Sequence, residues 1–323
     1  MEKLDLKDRK ILYHLDLNCR QSNAQIGKKV GLSKQVVDYR IKRMQDEGII
    51  KNFWTEFNTF KLGYNCYKSY VSFQDVSLKI KDEIIKYFAD YENSWAVISS
   101  KGPMDLDVML WVKDSYEFEL FWNKTLDKYG DFFATQTIVI LTGGIAYKKS
   151  YLLLEEYDKS DRIYFILRSG GKTVDIDELD YRVLDELAVN ARIPLIALAE
   201  KLGCSSQTVG YRIKNLIKQG VILALRVDID VSKLGFQHPA VDISLKIHTQ
   251  RKHIMNFIQN IPYVEYIIED VGWSDIGFEL VVKNFEHLTQ IMEDISREFP
   301  DSIRRQQFWM DRKYHRLRML PKL

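Results

Sequence analysis

The segment from Asp8 to Gly63 is written twice. Adding 172 to each number carries Gly31 to Gly203, Ser33 to Ser205 and Val37 to Val209. It also carries Tyr39-Arg40-Ile41 to Tyr211-Arg212-Ile213, and Lys61-Leu62-Gly63 to Lys233-Leu234-Gly235, with no gap between. A register held over that span is not chance. The chain is a tandem duplication, and its fold must accommodate two like units in 323 residues, 46% of them hydrophobic, enough for several modest cores.

Each copy opens with an acidic pair three residues apart, Asp5/Asp8 and Asp177/Asp180, ahead of Ile11, Leu12, Leu15 and of Val183, Leu184, Leu187. Acceptors placed there satisfy free N–H groups at a helix start. A second helix, Asn23 to Val30, points Ile26 and Val30 inward and turns at Gly31. Ser33 then caps a third helix, in which Val37, Ile41 and Met44 recur at helical spacing as a buried stripe. The opposite face carries Lys34, Gln35, Asp38, Tyr39, Lys42 and Arg43. A short turn between two helices, the second with a basic, hydrogen-bonding face, is the pattern of a helix-turn-helix. A helical hairpin with a solvated face is the plainer alternative. After Gly48 and Gly220, runs rich in β-branched and aromatic residues (Ile49 to Phe57, Val221 to Asp228) read as strands, suggesting a winged variant.

Charge separates the two heads. The whole chain is nearly neutral at +2, so any nucleic-acid footprint must be local. Residues 1–53 hold twelve Lys/Arg against seven Asp/Glu, a balance of +5, whereas residues 172–225 hold seven of each. Phosphate neutralisation supplies most non-specific affinity, so the first head is expected to bind more strongly and with the steeper salt dependence.

From Cys66 the pattern becomes strand, helix, strand, strand, helix, strand: Tyr67 to Phe73, Leu78 to Tyr91, Trp95 to Ser99, Asp105 to Val112, Tyr116 to Tyr129 and Thr137 to Leu141. It returns from Val241 to Met310. That order predicts a ferredoxin-like βαββαβ sandwich whose bare sheet face pairs with another copy, with Val108, Leu110, Phe278 and Leu280 expected to supply the apolar contact. The expected fold class is α+β: winged helix-turn-helix 1 over 1–57, a sheet domain over 64–150, a connector over 151–172, helix-turn-helix 2 over 173–229 and a second sheet domain over 236–323. The Gly170-Gly171 turn between apolar runs could close a hairpin in the connector.

Three scattered cysteines, Cys19, Cys66 and Cys204, form no C-x-x-C pair and read as free thiols in a reducing compartment. The N-terminus (Glu2, Lys3, Asp5, Lys7, Asp8) does not resemble a signal peptide, and no apolar run approaches the roughly 20 residues that span a bilayer. A cytoplasmic protein without membrane contact is expected. The six histidines lack metal spacing, and Ser169-Gly170-Gly171 lacks the rest of a phosphate loop. Neither a cofactor nor enzymatic activity is expected.

The Gly-Leu-Ser-x-x-x-Val-x-Tyr-Arg-Ile-x-x-Met stretch, the Lys-Leu-Gly hinge and the βαββαβ domain together resemble the Lrp/AsnC (feast/famine) transcription regulators. Their second domain is the RAM (regulation of amino-acid metabolism) domain. The resemblance covers nearly the whole chain, twice. It implies a sequence-specific regulator of double-stranded DNA whose RAM domains pair through their sheets, within the chain or between chains of a homo-oligomer. It also implies an amino-acid effector near the glycine-to-aspartate loop, here Gly102 to Asp105 and Gly272 to Asp275. The chain departs from the family in carrying two copies and in having Asp38 and Gly210 where a basic residue is usual. Asp38 would repel phosphate yet could accept from a cytosine amino group. Gly210 reads no base and costs its helix about 1 kcal/mol. Gly277 stands where the first copy has Asp107, so the two effector loops are not equivalent.

The candidate DNA-binding residues are Ser33, Lys34, Gln35, Asp38 and Tyr39 toward the bases and Arg40, Lys42 and Arg43 toward phosphates. Ser205, Ser206, Gln207, Tyr211, Arg212 and Lys214 are their counterparts. Tyr39/Tyr211 and Arg40/Arg212 have an alternative task, bracing the head from within, and Asp105 and Asp275 have one in capping their turns. Two other functions share this architecture: low-specificity DNA packaging, and the sirohaem decarboxylases, for which His315, Arg316 and Arg318 are the available His/Arg cluster.

Overall fold

Asp5 accepts from the Asp8 N–H at 2.8 Å and Asp8 accepts from the Asp5 N–H, the reciprocal cap that starts α1 (Leu6–Leu17). The computed structural model describes residues 4–322; Glu2 and Lys3 of the charged N-terminus lie outside the described residues. Head 1 continues with α2 (Asn23–Val30), α3 (Lys34–Asp46) and β1 (Ile50–Phe57). The first sheet domain runs β2 (Asn65–Phe73), α4 (Leu78–Asp90), β3 (Ser94–Lys101), β4 (Leu106–Val112), α5 (Ser115–Tyr129) and β5 (Phe133–Tyr147). The connector holds three short 3-10 turns and one strand, β6 (Ile163–Arg168). Head 2 follows as α6 (Glu178–Val189), α7 (Leu195–Leu202), α8 (Ser206–Lys218) and β7 (Ile222–Ile229). The second sheet domain runs β8 (Ala240–Leu245), α9 (Arg251–Ile258), β9 (Val264–Val271), β10 (Ile276–Leu280), α10 (Phe285–Glu298) and β11 (Ile303–Leu317).

The predicted stripes are the buried ones: Val37, Ile41 and Met44 in α3, and Val209, Ile213 and Leu216 in α8. The strand after each third helix does not fold back as a hairpin in its own head. β1 pairs antiparallel with β7, its duplicate, so the two heads share one ribbon and one hydrophobic core. The contacts are reciprocal. Cys19 N–H donates to Leu225 O and Ala191 N–H to Phe53 O, both at 2.8 Å; Asn58 N–H donates to Val221 O and Asp230 N–H to Ile49 O. Each bond is its mate shifted by 172, the signature of a pseudo-twofold axis inside one chain.

The sheet domains also join. Within each, the order is that of a βαββαβ fold: β5-β2-β4-β3 and β11-β8-β10-β9. Their last strands are 15 residues long, well beyond the predicted segments, and cross over: β5 pairs first with β2 and then with β9, β11 first with β8 and then with β3. The result is a closed circuit of eight strands, with β6 appended to β5. Closure removes the open edges of both sheets.

This corrects the expected pairing surface. Val108 and Leu110 are buried with α4 and α5, and Phe278 and Leu280 with α9 and α10. Neighbours one step along the strands, Asp107, Met109 and Glu279, line the inside with Lys68, Tyr70, Asp242, Asp270 and Trp309. Because strand side chains alternate, choosing the apolar set as the pairing face selected the wrong side. Gly170 and Gly171 close no hairpin; they take φ of 76° and 85° and lead from β6 toward head 2.

Candidate nucleic-acid interface

The turn between α2 and α3 fixes the reading helix. Gly31 ends α2 at φ 69°, where a side chain would strain the backbone, and Leu32 N–H returns to Gly27 O at 2.9 Å. Ser33 Oγ then accepts from the Val36 N–H, and Ser205 Oγ from the Thr208 N–H at 3.0 Å. Ser33 and Ser205, two of the three serines expected at the duplex, therefore serve as helix caps.

Lys34, Gln35, Asp38, Tyr39 and Lys42 are exposed on α3, and Tyr39 keeps 68% of its surface in solvent. Asp38 accepts from Asn23 Nδ2 at 2.8 Å, and Asn23 Oδ1 in turn accepts from Arg192 of the second head. In α8, Ser206, Gln207, Tyr211 and Lys214 are exposed, Tyr211 again at 68%. None of these side chains is turned into the core, and the tyrosines do not brace the heads.

The arginines do. Arg40 Nη1 lies 2.8 Å from both Asp5 Oδ2 and Asp8 Oδ1, and Arg43 Nη2 lies 2.6 Å from Asp8 Oδ2. Arg212 repeats the clamp on Asp177 and Asp180. Burial pushes the Asp5 carboxyl up, but the Asp8 N–H and the Arg40 guanidinium outweigh it and hold the group below the ordinary carboxylate range. The Asp180 N–H and then Arg212 do the same for Asp177. Arg40, Arg43 and Arg212, read from sequence as phosphate contacts, tie the third helix to the first. Lys34 and Lys42 are the cations of α3 that no side chain engages among the described residues.

The glycine-to-aspartate loops also have structural tasks. Asp105 Oδ2 accepts from the Phe73 N–H at 2.9 Å and Asp275 Oδ2 from the Leu245 N–H at 2.6 Å, so both carboxylates bind the backbone of the neighbouring strand. A Cβ on Gly102 would stand 2.9 Å from Phe308 O, and one on Gly272 would stand 2.8 Å from Ile138 O. These glycines let each loop approach the crossing strand of the other sheet domain. His315, Arg316 and Arg318 do not converge on a site either. His315 Nε2 meets Ser99 Oγ at 2.9 Å, Arg316 donates to the carbonyls of Ala89, Glu92 and Ser94, and Arg318 pairs with Asp185.

A buried junction where the two heads meet the barrel has little trace in the sequence. Arg226 is fully buried and bidentate to Asp16, Nε to Oδ1 and Nη2 to Oδ2, both at 2.9 Å. Its Nη1 donates to Tyr266 Oη at 2.6 Å, and Tyr266 Oη donates to Glu56 Oε1. The one available signal was Arg226 inside the apolar run Ile222 to Val227.

A winged helix-turn-helix DNA-binding model matches residues 4–51 and 176–222, the two heads. An uncharacterised HTH-type transcriptional regulator of Pyrococcus abyssi is 44% identical over 130 residues, 38% of this chain and 84% of its own. The HTH-type transcriptional regulator LrpA of Bacillus subtilis is 29% identical over 126 residues, 38% of this chain and 90% of its own. The chain belongs to the Lrp/AsnC family. Each of these family members is matched by little more than a third of this chain, as a duplicated member requires. From end to end, a solved structure with the same architecture is the sirohaem decarboxylase NirDL, with a TM-score of 0.64 over 98% of this chain and 94% of that one. At 12% identity the likeness speaks for the fold. It overturns the expectation that the chain is no enzyme, because an enzyme carries this whole architecture.

Proposed function

We propose that the chain regulates transcription by reading duplex DNA with two reading helices yoked at a fixed spacing, chiefly through α3. The observation that carries the reading is the exposed row of Lys34, Gln35, Tyr39 and Lys42 on a helix whose arginines are committed to holding the head together. Gln35 and Tyr39 meet base edges, and Lys34 and Lys42 neutralise phosphates. Gln207, Tyr211 and Lys214 read a second half-site more weakly, because Gly210 offers no side chain and residues 172–225 carry no net charge. The β1–β7 ribbon and the pseudo-twofold axis orient the two helices toward an inverted repeat. Gly102, Asp105, Gly272 and Asp275 hold their loops against the neighbouring strands.

Selection of bound sequences from a random duplex pool tests this. The expected outcome is one strongly enriched half-site with a degenerate inverted partner about one helical turn, or a multiple, away. Binding without enrichment, set by salt alone, would mean DNA packaging instead.

A further inference from the structure

We propose that β6 is a docking edge for a second copy of this chain. The eight strands close on themselves, with only the far half of β11 paired on one side, to β3, whereas β6 pairs along its whole length only with β5 among the described residues. Ser169 N–H donates to Thr142 O at 2.7 Å. Antiparallel alternation then turns residue 167 toward β5 and points the N–H and C=O of Ile166 and Arg168 away from it. That edge reads Ile163-Tyr164-Phe165-Ile166-Leu167-Arg168, has no proline, and leaves Ile163 and Ile166 exposed, the latter at 49%. Its one charge, Arg168, is drawn back onto Glu269. Apart from a bulge between Phe165 and Ile163, such an edge lacks the charges and prolines that keep strands from pairing.

The occupant follows from the strand's own symmetry. Two copies related by a twofold axis normal to the sheet pair antiparallel only when facing residue numbers sum to an even value. Centring on Phe165 sets Arg162 against Arg168, like against like. Centring on Ile166 sets Ile166 against itself, Phe165 against Leu167, and Tyr164 against Arg168, with no like charges opposed. It also places Ile166, whose backbone groups face outward, at the hydrogen-bonded position on the axis. A second copy of this strand therefore satisfies both the backbone ladder and the side-chain pairing, and makes an assembly with four heads.

Sedimentation equilibrium of the full chain at micromolar concentration tests this, with Ile166→Lys as the disrupting variant and Ile217→Lys, exposed on α8, as the control. The expected result is a mass of twice 38.1 kDa for the unaltered chain and the control, and a single-chain mass for Ile166→Lys with its circular dichroism unchanged. In a Cys204→Ser background, Ile166→Cys should join two chains through a short thiol cross-linker and Ile217→Cys should not. Should Ile166→Lys misfold, the cross-link decides. A single-chain mass for the unaltered protein, the edge then being bare or kept for another protein, would overturn the proposal. So would a dimer that Ile166→Lys leaves whole, or Ile166→Cys chains that stay unlinked.

Discussion

Head 1 offers Lys34, Gln35, Asp38, Tyr39 and Lys42 on its reading helix; head 2 offers Ser206, Gln207, Gly210, Tyr211 and Lys214 at the matching positions. Beneath these faces the heads are alike. The capping pair, the arginine clamp, the apolar stripe and the glycine turn recur at matching positions. On the exposed face the copies share Gln35/Gln207, Tyr39/Tyr211 and Lys42/Lys214 and differ at Lys34/Ser206 and Asp38/Gly210, so head 2 presents one cation fewer to a duplex. The junctions differ too. Arg226 and Asp16 form a buried ion pair on one side of the ribbon, while the positions 172 away hold Trp54 and Ala188.

The sharpest test of this asymmetry is Asp16→Ala, which strands the Arg226 guanidinium in a dry site. We expect a loss of about 3–5 kcal/mol in denaturant unfolding, as for other broken buried pairs. Replacing both partners with apolar residues of similar volume should recover most of it. If Asp16→Ala costs no more than a surface change, the ion pair is not what ties head 1 to head 2.

A second comparison lies inside the barrel, where Asp270 of the second copy stands at the position of Ser100 in the first. Burial pushes the Asp270 carboxyl up to about 6, against partial relief from Lys68. A raised carboxyl favours the folded state at low pH, and that contribution is lost as pH rises from about 4 through about 6. Asp270→Asn should remove this slope and raise stability at pH 7 by up to about 2 kcal/mol, read from melting temperatures across that window. A slope unchanged in the variant would assign it elsewhere.

For DNA, Lys34→Ala with Lys42→Ala should weaken binding to all sequences and lower the log K against log salt slope by about two. Lys214→Ala in head 2 should change it by less than one unit, a difference lost if both heads bind alike. Arg43→Ala is expected to act on the stability of head 1 instead, because its guanidinium faces Asp8. The smallest effect expected is from Gly210→Ala. A Cβ there meets Leu195 Cδ1 at 3.7 Å, an ordinary contact, so the helix should gain about 0.5–1 kcal/mol.

Much of this was legible from residue order. The duplication, the three helices of each head with the caps of the first and third, the buried stripes, and the strand-helix order of each sheet domain follow from local spacing, because helix periodicity and capping depend on neighbours within a turn. The exposure of Lys34, Gln35 and Tyr39 followed from the same stripe. Arg40 and Arg43 did not: their partner, Asp8, is more than thirty residues away, and a cation on a helix surface looks the same in sequence whether it faces phosphate or carboxylate.

The chain by itself thus determined that there are two heads and two sheet domains, and which face of each helix is greasy. Only the tertiary structure decided that β1 pairs with β7, that β5 and β11 run on to close an eight-stranded barrel, and that the polar side of each strand lies inside it. The reason is physical. Strand pairing joins residues far apart in the chain, and an alternating pattern names two faces without saying which one the partner will cover.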